Sequence, residues 1–147
     1  MGKNLVGVIA LLFSIQFVSA QSTNKADDII GIWLSEKKNG KVEIYKLGYK
    51  YYGKLIWGKT MFEADGKTSK KDVKNSDINL KTRKLKDLII LTDFVFEDNV
   101  WSGGKIYDPQ AGKVYSCTMK LKANTLNIRG YVGISLFGRS SEWNRIK

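Results

Sequence analysis

The side chains that most often perform catalysis are scarce in this chain. It contains no histidine, which excludes a Ser-His-Asp triad, a Cys-His pair and every histidine-ligated zinc or haem site. The single cysteine, Cys117, shares one face of a predicted strand with Tyr115 and Met119. These apolar neighbours predict a buried core thiol rather than a nucleophile. The sequence therefore predicts no catalytic residue, no metal site and no cofactor.

One segment of the chain fits the sequence pattern of a phosphate-binding loop without the structural context that the loop requires. Residues 53–60, Gly-Lys-Leu-Ile-Trp-Gly-Lys-Thr, fit G-x-x-x-x-G-K-[ST], a motif that needs a strand before its loop and a helix from the lysine onward. Here the intervening residues continue the alternation of a strand, and a polar segment follows Thr60. The match is therefore predicted to be fortuitous.

Paired carboxylates are the remaining route to catalysis, since two acids suffice to hydrolyse a glycosidic bond. Asp72, Asp77, Asp93 and Asp108 are available, but nothing in their spacing pairs them. Asp108 precedes a proline and is expected to cap a turn. Asp93 is expected either to face solvent or to lie buried beside a partner. A carboxylate-dependent hydrolase stays open as an alternative function.

The elements that must position these residues are short strands. Runs of alternating residues separated by turn residues predict an antiparallel meander of about eight strands, without helical periodicity. The last two predicted strands span 125–132 and 134–146, and Asn39-Gly40 predicts a two-residue hairpin turn near the start. Because closure removes sheet edges, the favoured fold is all-β, a small closed up-and-down barrel.

The chain divides into a leader, a short extension and one domain. Residues 1–20 combine Lys3, an apolar stretch and small residues before Gln21, which predicts a signal peptide cleaved after about Ala20 and a periplasmic or secreted protein. The apolar stretch is too short to cross a bilayer, and no transmembrane segment is expected in the mature chain. Residues 21–29 are an N-terminal extension, and residues 30–147 form a single barrel domain.

A long basic segment over about 58–87 is the main irregular part of that domain. Between positions 67 and 86 it has eight basic residues and two acidic ones, within a chain of net charge +11. Such a field attracts polyanions or an anionic membrane surface, or else belongs to a solvated loop. No aromatic residue in that stretch offers a base-stacking surface, so no specific nucleic-acid partner is expected.

From about residue 30 to residue 145 the chain resembles the bacterial family labelled domain of unknown function 2147. The resemblance rests on Gly31-Ile32-Trp33, Tyr52-Gly53-Lys54, Asp72 with Asn75, residues 101–109, residues 112–115, residues 129–139 and Trp143. The chain departs from the family pattern at Ser76, where proline is usual, and at Asp87, where glycine is expected. The resemblance implies a signal peptide, a periplasmic or secreted location and a lipocalin-like barrel, without an assigned activity.

A second resemblance concerns the closure of the barrel. Lipocalins and fatty-acid-binding proteins open their first strand with Gly-x-Trp and end with a basic residue that packs over the tryptophan. Here Gly31-x-Trp33 is matched by Arg145. The resemblance implies that Trp33 and Arg145 are a structural closure pair, joined by a cation–π contact worth about 0.5–2 kcal/mol.

The function favoured by these observations is non-enzymatic: an exported lipocalin-like protein of the cell envelope that binds a small, partly apolar or acidic molecule. The candidate ligand-binding residues are Trp101, Tyr107, Arg129, Tyr131 and Arg139, with Asp72 and Asn75 on the long loop. Arg129 and Arg139 are the candidates to meet an acidic head group, and internal salt bridges are the alternative for both. Trp33, Trp101 and Trp143 are expected either to line a ligand cavity or to fill the core. A basic surface-interaction module that binds an anionic envelope polymer or lipid head groups is the other alternative function.

Overall fold

The computed structural model describes Gly2 and residues 25–147. The predicted signal peptide and its cleavage site, Gly2 apart, lie outside the described residues. Within these described ranges, no helix is both long and apolar enough to span a membrane.

Eight antiparallel strands form a closed barrel, in which each strand pairs with its neighbours in the chain and the first pairs with the last. The strands are β1 (Gly31–Leu34), β2 (Gly40–Leu47), β3 (Lys50–Gly58), β4 (Leu88–Glu97), β5 (Val100–Asp108), β6 (Lys113–Lys122), β7 (Thr125–Tyr131) and β8 (Arg139–Arg145). Among the described residues three short 3-10 helices accompany them, η1 (Lys25–Ile29), η2 (Ile78–Leu80) and η3 (Ser135–Phe137). The prediction of an all-β up-and-down barrel of about eight strands is confirmed.

The two ends of the barrel have different connections. At the lower end the strands are joined by tight turns at 48–49, 98–99 and 123–124, and η1 lies against this end. Residues with positive φ in these turns, such as Gly48 and Asn99, supply the backbone twist that fits a hairpin. The upper end has the longer connections, at 35–39, 59–87, 109–112 and 132–138.

The lower part of the barrel interior is filled with large side chains. Trp33, Trp101 and Trp143 are 0%, 2% and 7% exposed, so the tryptophans fill the core rather than line a cavity. The packing is close enough that Gly104 has no room for a side chain, because a Cβ there would lie 2.5 Å from the ring of Phe94. The lower interior therefore leaves no room for a ligand.

The helix η1 closes the lower end of the barrel, and we call it the plug. The indole N–H of Trp33 donates to the carbonyl oxygen of Ile29 at 2.9 Å, and the indole N–H of Trp101 donates to that of Ala26 at 3.2 Å. Ile29 itself is completely buried. Two buried tryptophans therefore satisfy their only polar groups on the backbone of the plug, which fixes its position.

Arg145 packs over Trp33 from the end of β8. Its guanidinium carbon lies 4.3 Å from the centroid of the Trp33 ring, and its nitrogens donate to the carbonyl oxygens of Ile30 and Asp28. Gly31 is needed here, because it has a φ of +147° and a Cβ would lie 2.5 Å from the carbonyl oxygen of Lys147. The arginine thus joins the last strand to the plug across the seam of the barrel.

Two boundaries predicted from the sequence are wrong. The first hairpin is not a two-residue turn at Asn39-Gly40 but a five-residue connection over 35–39, because the Ser35 hydroxyl accepts from the backbone N–H groups of both residues and holds a wider loop. The last strand begins at Arg139, not at position 134. The positive φ of Gly133 takes the chain out of the ladder, and residues 132–138 form an exposed loop.

Asp87 occupies the position where the resembling family has glycine. It adopts a φ of +62°, a conformation that glycine takes without strain and aspartate tolerates better than most residues. Its backbone N–H donates to the carbonyl oxygen of Leu55 at 2.8 Å. The departure from the family pattern therefore keeps the left-handed backbone from which β4 begins.

The one cysteine is a test of how tightly the interior is packed. Cys117 is 1% exposed, and burial raises the pKa of its thiol to about 12. At pH 8 we expect iodoacetamide to alkylate the native protein at least about a hundredfold more slowly than the guanidinium-unfolded protein, measured by mass spectrometry, because the reactive thiolate is both disfavoured and shielded. Equal rates would show that the interior is open.

Candidate functional site

The predicted pair Asp72 and Asn75 lies on the connection 59–87, which we call the strap. Both side chains are buried. The Asp72 carboxylate accepts from the Tyr107 hydroxyl at 2.5 Å, from the Asn75 amide at 3.0 Å and from the Arg83 Nε at 2.9 Å. A buried carboxylate is thus compensated by a cation and two neutral donors, which stabilises the strap against the barrel.

This cluster lies on the outer face of the barrel. Ile106 faces the interior, because it pairs with the completely buried Leu91, and its neighbour Tyr107 therefore points outward. The strap also touches the next turn, where a Cβ on Gly112 would lie 1.9 Å from the carbonyl oxygen of Lys74. Asp72, Asn75 and Tyr107, three of the candidate ligand residues, lie together, but they clamp the strap to β5 rather than line the barrel.

We call the cluster of Asp72, Asn75, Arg83 and Tyr107 the clamp. Its electrostatics favour the neutral form of Tyr107. Burial, and then the hydrogen bond donated to Asp72, raise the pKa of Tyr107 above its usual value. The Arg83 guanidinium lies over the same ring, 5.2 Å from its centroid. Since the polar atoms of the clamp are satisfied by one another, a ligand would have to break these bonds to use them.

Trp101 lies far from this cluster, in the lower core. Its ring packs against Phe96 at a centroid distance of 4.6 Å and against Tyr51 at 6.4 Å. With 2% of its surface exposed and its N–H given to the plug, it is occupied structurally. The structure does not bring it together with the other predicted ligand residues.

Arg129 lies on the outer face of β7 and holds the loop that follows. Its guanidinium donates to the carbonyl oxygens of Ser135 and Leu136 at 2.8 and 3.1 Å, and to the Ser140 hydroxyl at 3.0 Å. These partners are neutral, so the structure gives Arg129 a loop-holding role in place of a salt bridge. Tyr131 follows on the same outer face and is partly exposed.

Arg139 lies at the upper opening of the barrel, on the inner face of the sheet. It pairs with Gly130, which lies close to Tyr115 on the adjacent strand and to Ile106 on the strand beyond, and Ser141 follows Arg139 on the same face. These inward residues are partly or fully exposed, in contrast to the sealed lower half. We call this opening, lined by Ile106, Tyr115, Arg139 and Ser141, the upper mouth.

The upper mouth holds polar groups that have no partner within the part of the chain that the structure describes. Among these residues the guanidinium of Arg139 makes no hydrogen bond or ion pair, and neither does the hydroxyl of Tyr115. Arg139 pairs with Gly130, and Ile106 and Tyr115 also lie next to Gly130, so a permanent cation, an aromatic residue and an apolar residue share this end of the inner face. Such a combination can bind an acidic group and an adjoining apolar group together.

Two surface depressions lie elsewhere, near the lower end. One lies between η1 and the 123–124 turn, lined by residues such as Asp28 and Arg145, and the other follows the outer wall around Leu121 and Glu142. None of the seven predicted ligand residues lines either depression. Both are open to solvent, and we do not assign them to a ligand.

The carboxylates considered for hydrolysis have structural roles. Asp108 accepts from the backbone N–H groups of Gln110 and Ala111 and so caps the turn. Asp93 is exposed and accepts from Lys50 and Tyr52, and these two bonds lower its pKa. Within the described residues no three histidine, cysteine, aspartate or glutamate side chains converge as a metal site would require.

Residues of the upper mouth that sequence reasoning missed are Ile106, Tyr115 and Ser141. The alternation that placed Tyr115 on one face with Cys117 was a usable signal, because that face is the inner one. Ser141 had no such signal, since its face depends on where β8 begins. Arg83 was also missed, because its contact with Asp72 bridges a polar loop without periodicity.

Comparison with known proteins agrees with this fold. The family model described as "Uncharacterized protein conserved in bacteria (DUF2147)" matches residues 31–145. A search of curated proteins finds no match. Among solved structures, the chain is similar to protein HP1028 from Helicobacter pylori, described as belonging to the lipocalin family, with 26% identity and a TM-score of 0.70 over 80% of this chain and 82% of that one. The barrel is thus lipocalin-like.

The close approach of the strap to the 109–112 turn can be tested with a matched pair of glycines. Gly112 and Gly66 have φ values of +68° and +69°, but only Gly112 has an atom within reach of an added Cβ. We expect Gly66→Ala to lower the free energy of unfolding by about 1–2 kcal/mol from backbone strain, and Gly112→Ala to lower it by about 2 kcal/mol more because the clamp is displaced. Urea denaturation followed by tryptophan fluorescence measures both; equal losses would mean that the strap is not held there.

Proposed function

The chain belongs to the DUF2147 family of bacterial proteins, and from this premise we propose that it is an exported lipocalin-like barrel that binds a small acidic amphiphile at its upper mouth. The export is supported by the leader pattern of residues 1–20. No catalytic role is assigned to any residue, because the acids discussed above are engaged in turns, the clamp and surface pairs. The barrel therefore acts by binding.

The observation that carries this proposal is the unpartnered guanidinium of Arg139 on the inner face of the upper mouth. A guanidinium donates two parallel hydrogen bonds to a carboxylate or phosphate, with a strength that neutral donors do not reach. Because Arg139 makes no bond to the described residues, an acidic ligand would gain these bonds without breaking existing ones. The hydroxyl of Tyr115, on the same inner face, is a further donor without a partner among the described residues.

The size of the ligand follows from the packing below the mouth. Leu91, Phe94 and Trp33 are completely buried, so no water-sized space adjoins them and a long chain cannot descend along the barrel axis. The apolar part of the ligand is therefore short, or it lies across the mouth over Ile106 and Tyr115. This arrangement favours a small acid with a limited apolar portion over a bulky neutral lipid.

The ligand itself can be identified by mass spectrometry of organic extracts. The protein purified from its native envelope, and an Arg139→Gln variant purified in parallel, would be extracted and compared. We expect an acidic amphiphile that is enriched with the wild type and depleted with the variant. A ligand retained equally by both would place its binding elsewhere.

The role of charge at the mouth can be measured with a small fluorescent acid, 7-methoxycoumarin-4-acetic acid, and its neutral methyl ester. We expect Arg139→Gln to weaken binding of the acid roughly tenfold while leaving the ester unchanged, because only the acid uses the guanidinium. Lys120→Gln is the matched control, since Lys120 is an exposed cation on the outer face of β6. If both variants weaken the acid equally, net charge rather than the mouth determines the affinity.

A further inference from the structure

The connection between β7 and β8, residues 132–138, exposes an unusual amount of apolar surface. We call it the apolar tip. Val132, Ile134, Leu136 and Phe137 are each between 58% and 77% exposed, and the segment contains no charged residue. Four large apolar side chains within six consecutive positions form a patch of the kind that marks an interaction surface.

The apolar tip is held in this exposed arrangement by Arg129. The guanidinium bonds the carbonyl oxygens of Ser135 and Leu136, while Ser140 beyond the tip provides a third acceptor. These bonds turn the peptide groups of η3 toward the barrel and leave the side chains of Leu136 and Phe137 in solvent. The hydrogen bonds of Arg129 thus hold the loop in place, and its apolar side chains are left without packing partners on the barrel.

The surroundings of the apolar tip are basic. The strap has nine basic residues and five acidic ones, and the neighbouring connection at 35–39 has two basic residues and one acidic one. Lys38 on one side of the tip, and Lys74 and Lys113 on the other, are exposed. The lower end has the opposite balance, with Asp27, Asp28 and Asp98 in its connections and plug against Lys25.

We propose that the upper end docks on an anionic lipid bilayer, with the apolar tip inserted among the head groups and the basic connections on the charged surface. Charge complementarity selects an anionic partner, and the apolar tip selects one with a hydrocarbon interior, which a soluble polyanion lacks. This inference goes beyond ligand binding and does not depend on it. Docking in this way would turn the upper mouth toward the membrane.

Sedimentation with vesicles tests the docking. We expect the protein to bind vesicles of phosphatidylcholine and phosphatidylglycerol, to bind phosphatidylcholine vesicles at least about tenfold more weakly, and to be released by high salt. Leu136→Ser with Phe137→Ser should weaken binding to the anionic vesicles at least about tenfold. The matched control is Leu47→Ser with Tyr49→Ser, which removes side chains of similar exposure from the lower end and should leave binding unchanged.

Insertion is measured directly with a label on the tip. Because Cys117 is buried, a Leu136→Cys variant can be labelled selectively with an environment-sensitive maleimide, and a Leu47→Cys variant serves as the control. We expect a blue shift on anionic vesicles for the label at 136 and none for the label at 47. Binding to heparin as tight as to vesicles, or equal shifts at both ends, would overturn the proposal.

The two proposals remain distinguishable. Arg139→Gln removes the acid-binding group of the mouth but only one of the many cations of the upper end, so its vesicle binding should stay within about twofold of wild type. The serine variants of the tip should conversely keep their affinity for 7-methoxycoumarin-4-acetic acid in solution. Loss of vesicle binding by Arg139→Gln together with unchanged binding by the tip variants would contradict the docking geometry.

Discussion

The barrel depends on the environment of one indole ring. Trp33 is fully buried, donates its N–H to Ile29 of the plug and lies under the guanidinium of Arg145. The seam between β1 and β8 is short: it has paired positions at Trp33 and Leu34, and backbone hydrogen bonds join Ile32 to residues 146 and 147. The tryptophan therefore connects the first strand, the last strand and the plug, and loss of its contacts would open the seam and the lower core together.

The lower end of the barrel is filled and closed, whereas the inner residues at the upper end stay partly exposed. The plug and three buried tryptophans fill the lower half, and the strap is clamped to the outside of β5 through Asp72 and Tyr107 while its Met61 is buried. The interior above the filled layer then ends in residues that remain partly exposed. The buried contacts are thereby concentrated at the lower end. At the upper end lies Arg139, a cation that has no partner among the described residues.

The sequence predicts the strands well because alternation is a local property. It also places Cys117 in the core, and the Gly-x-Trp resemblance pairs Trp33 with Arg145, which the structure finds in contact. It fails where geometry is non-local: the contact of Arg83 with Asp72 spans a polar loop without periodicity. It also fails at residues 132–138, where apolar side chains resemble a strand but the positive φ of Gly133 ends the ladder.

Arg129 and Arg139 show how much of the candidate site depends on one strand boundary. The two arginines are alike in the sequence, flanked by glycines near the end of the chain, yet one lies on the outer face of β7 and the other on the inner face of β8. Successive residues of a strand point to opposite faces, so a shift of one position in β8 would exchange the inner and outer residues of that strand. Arg129 then supports a loop whose apolar side chains stay in solvent, and Arg139 keeps its charge at the opening that the same loop borders. Since one connection separates the two arginines, whatever contacts the apolar tip also stands at the entrance to the upper mouth, and a ligand that is itself an acidic amphiphile would suit both.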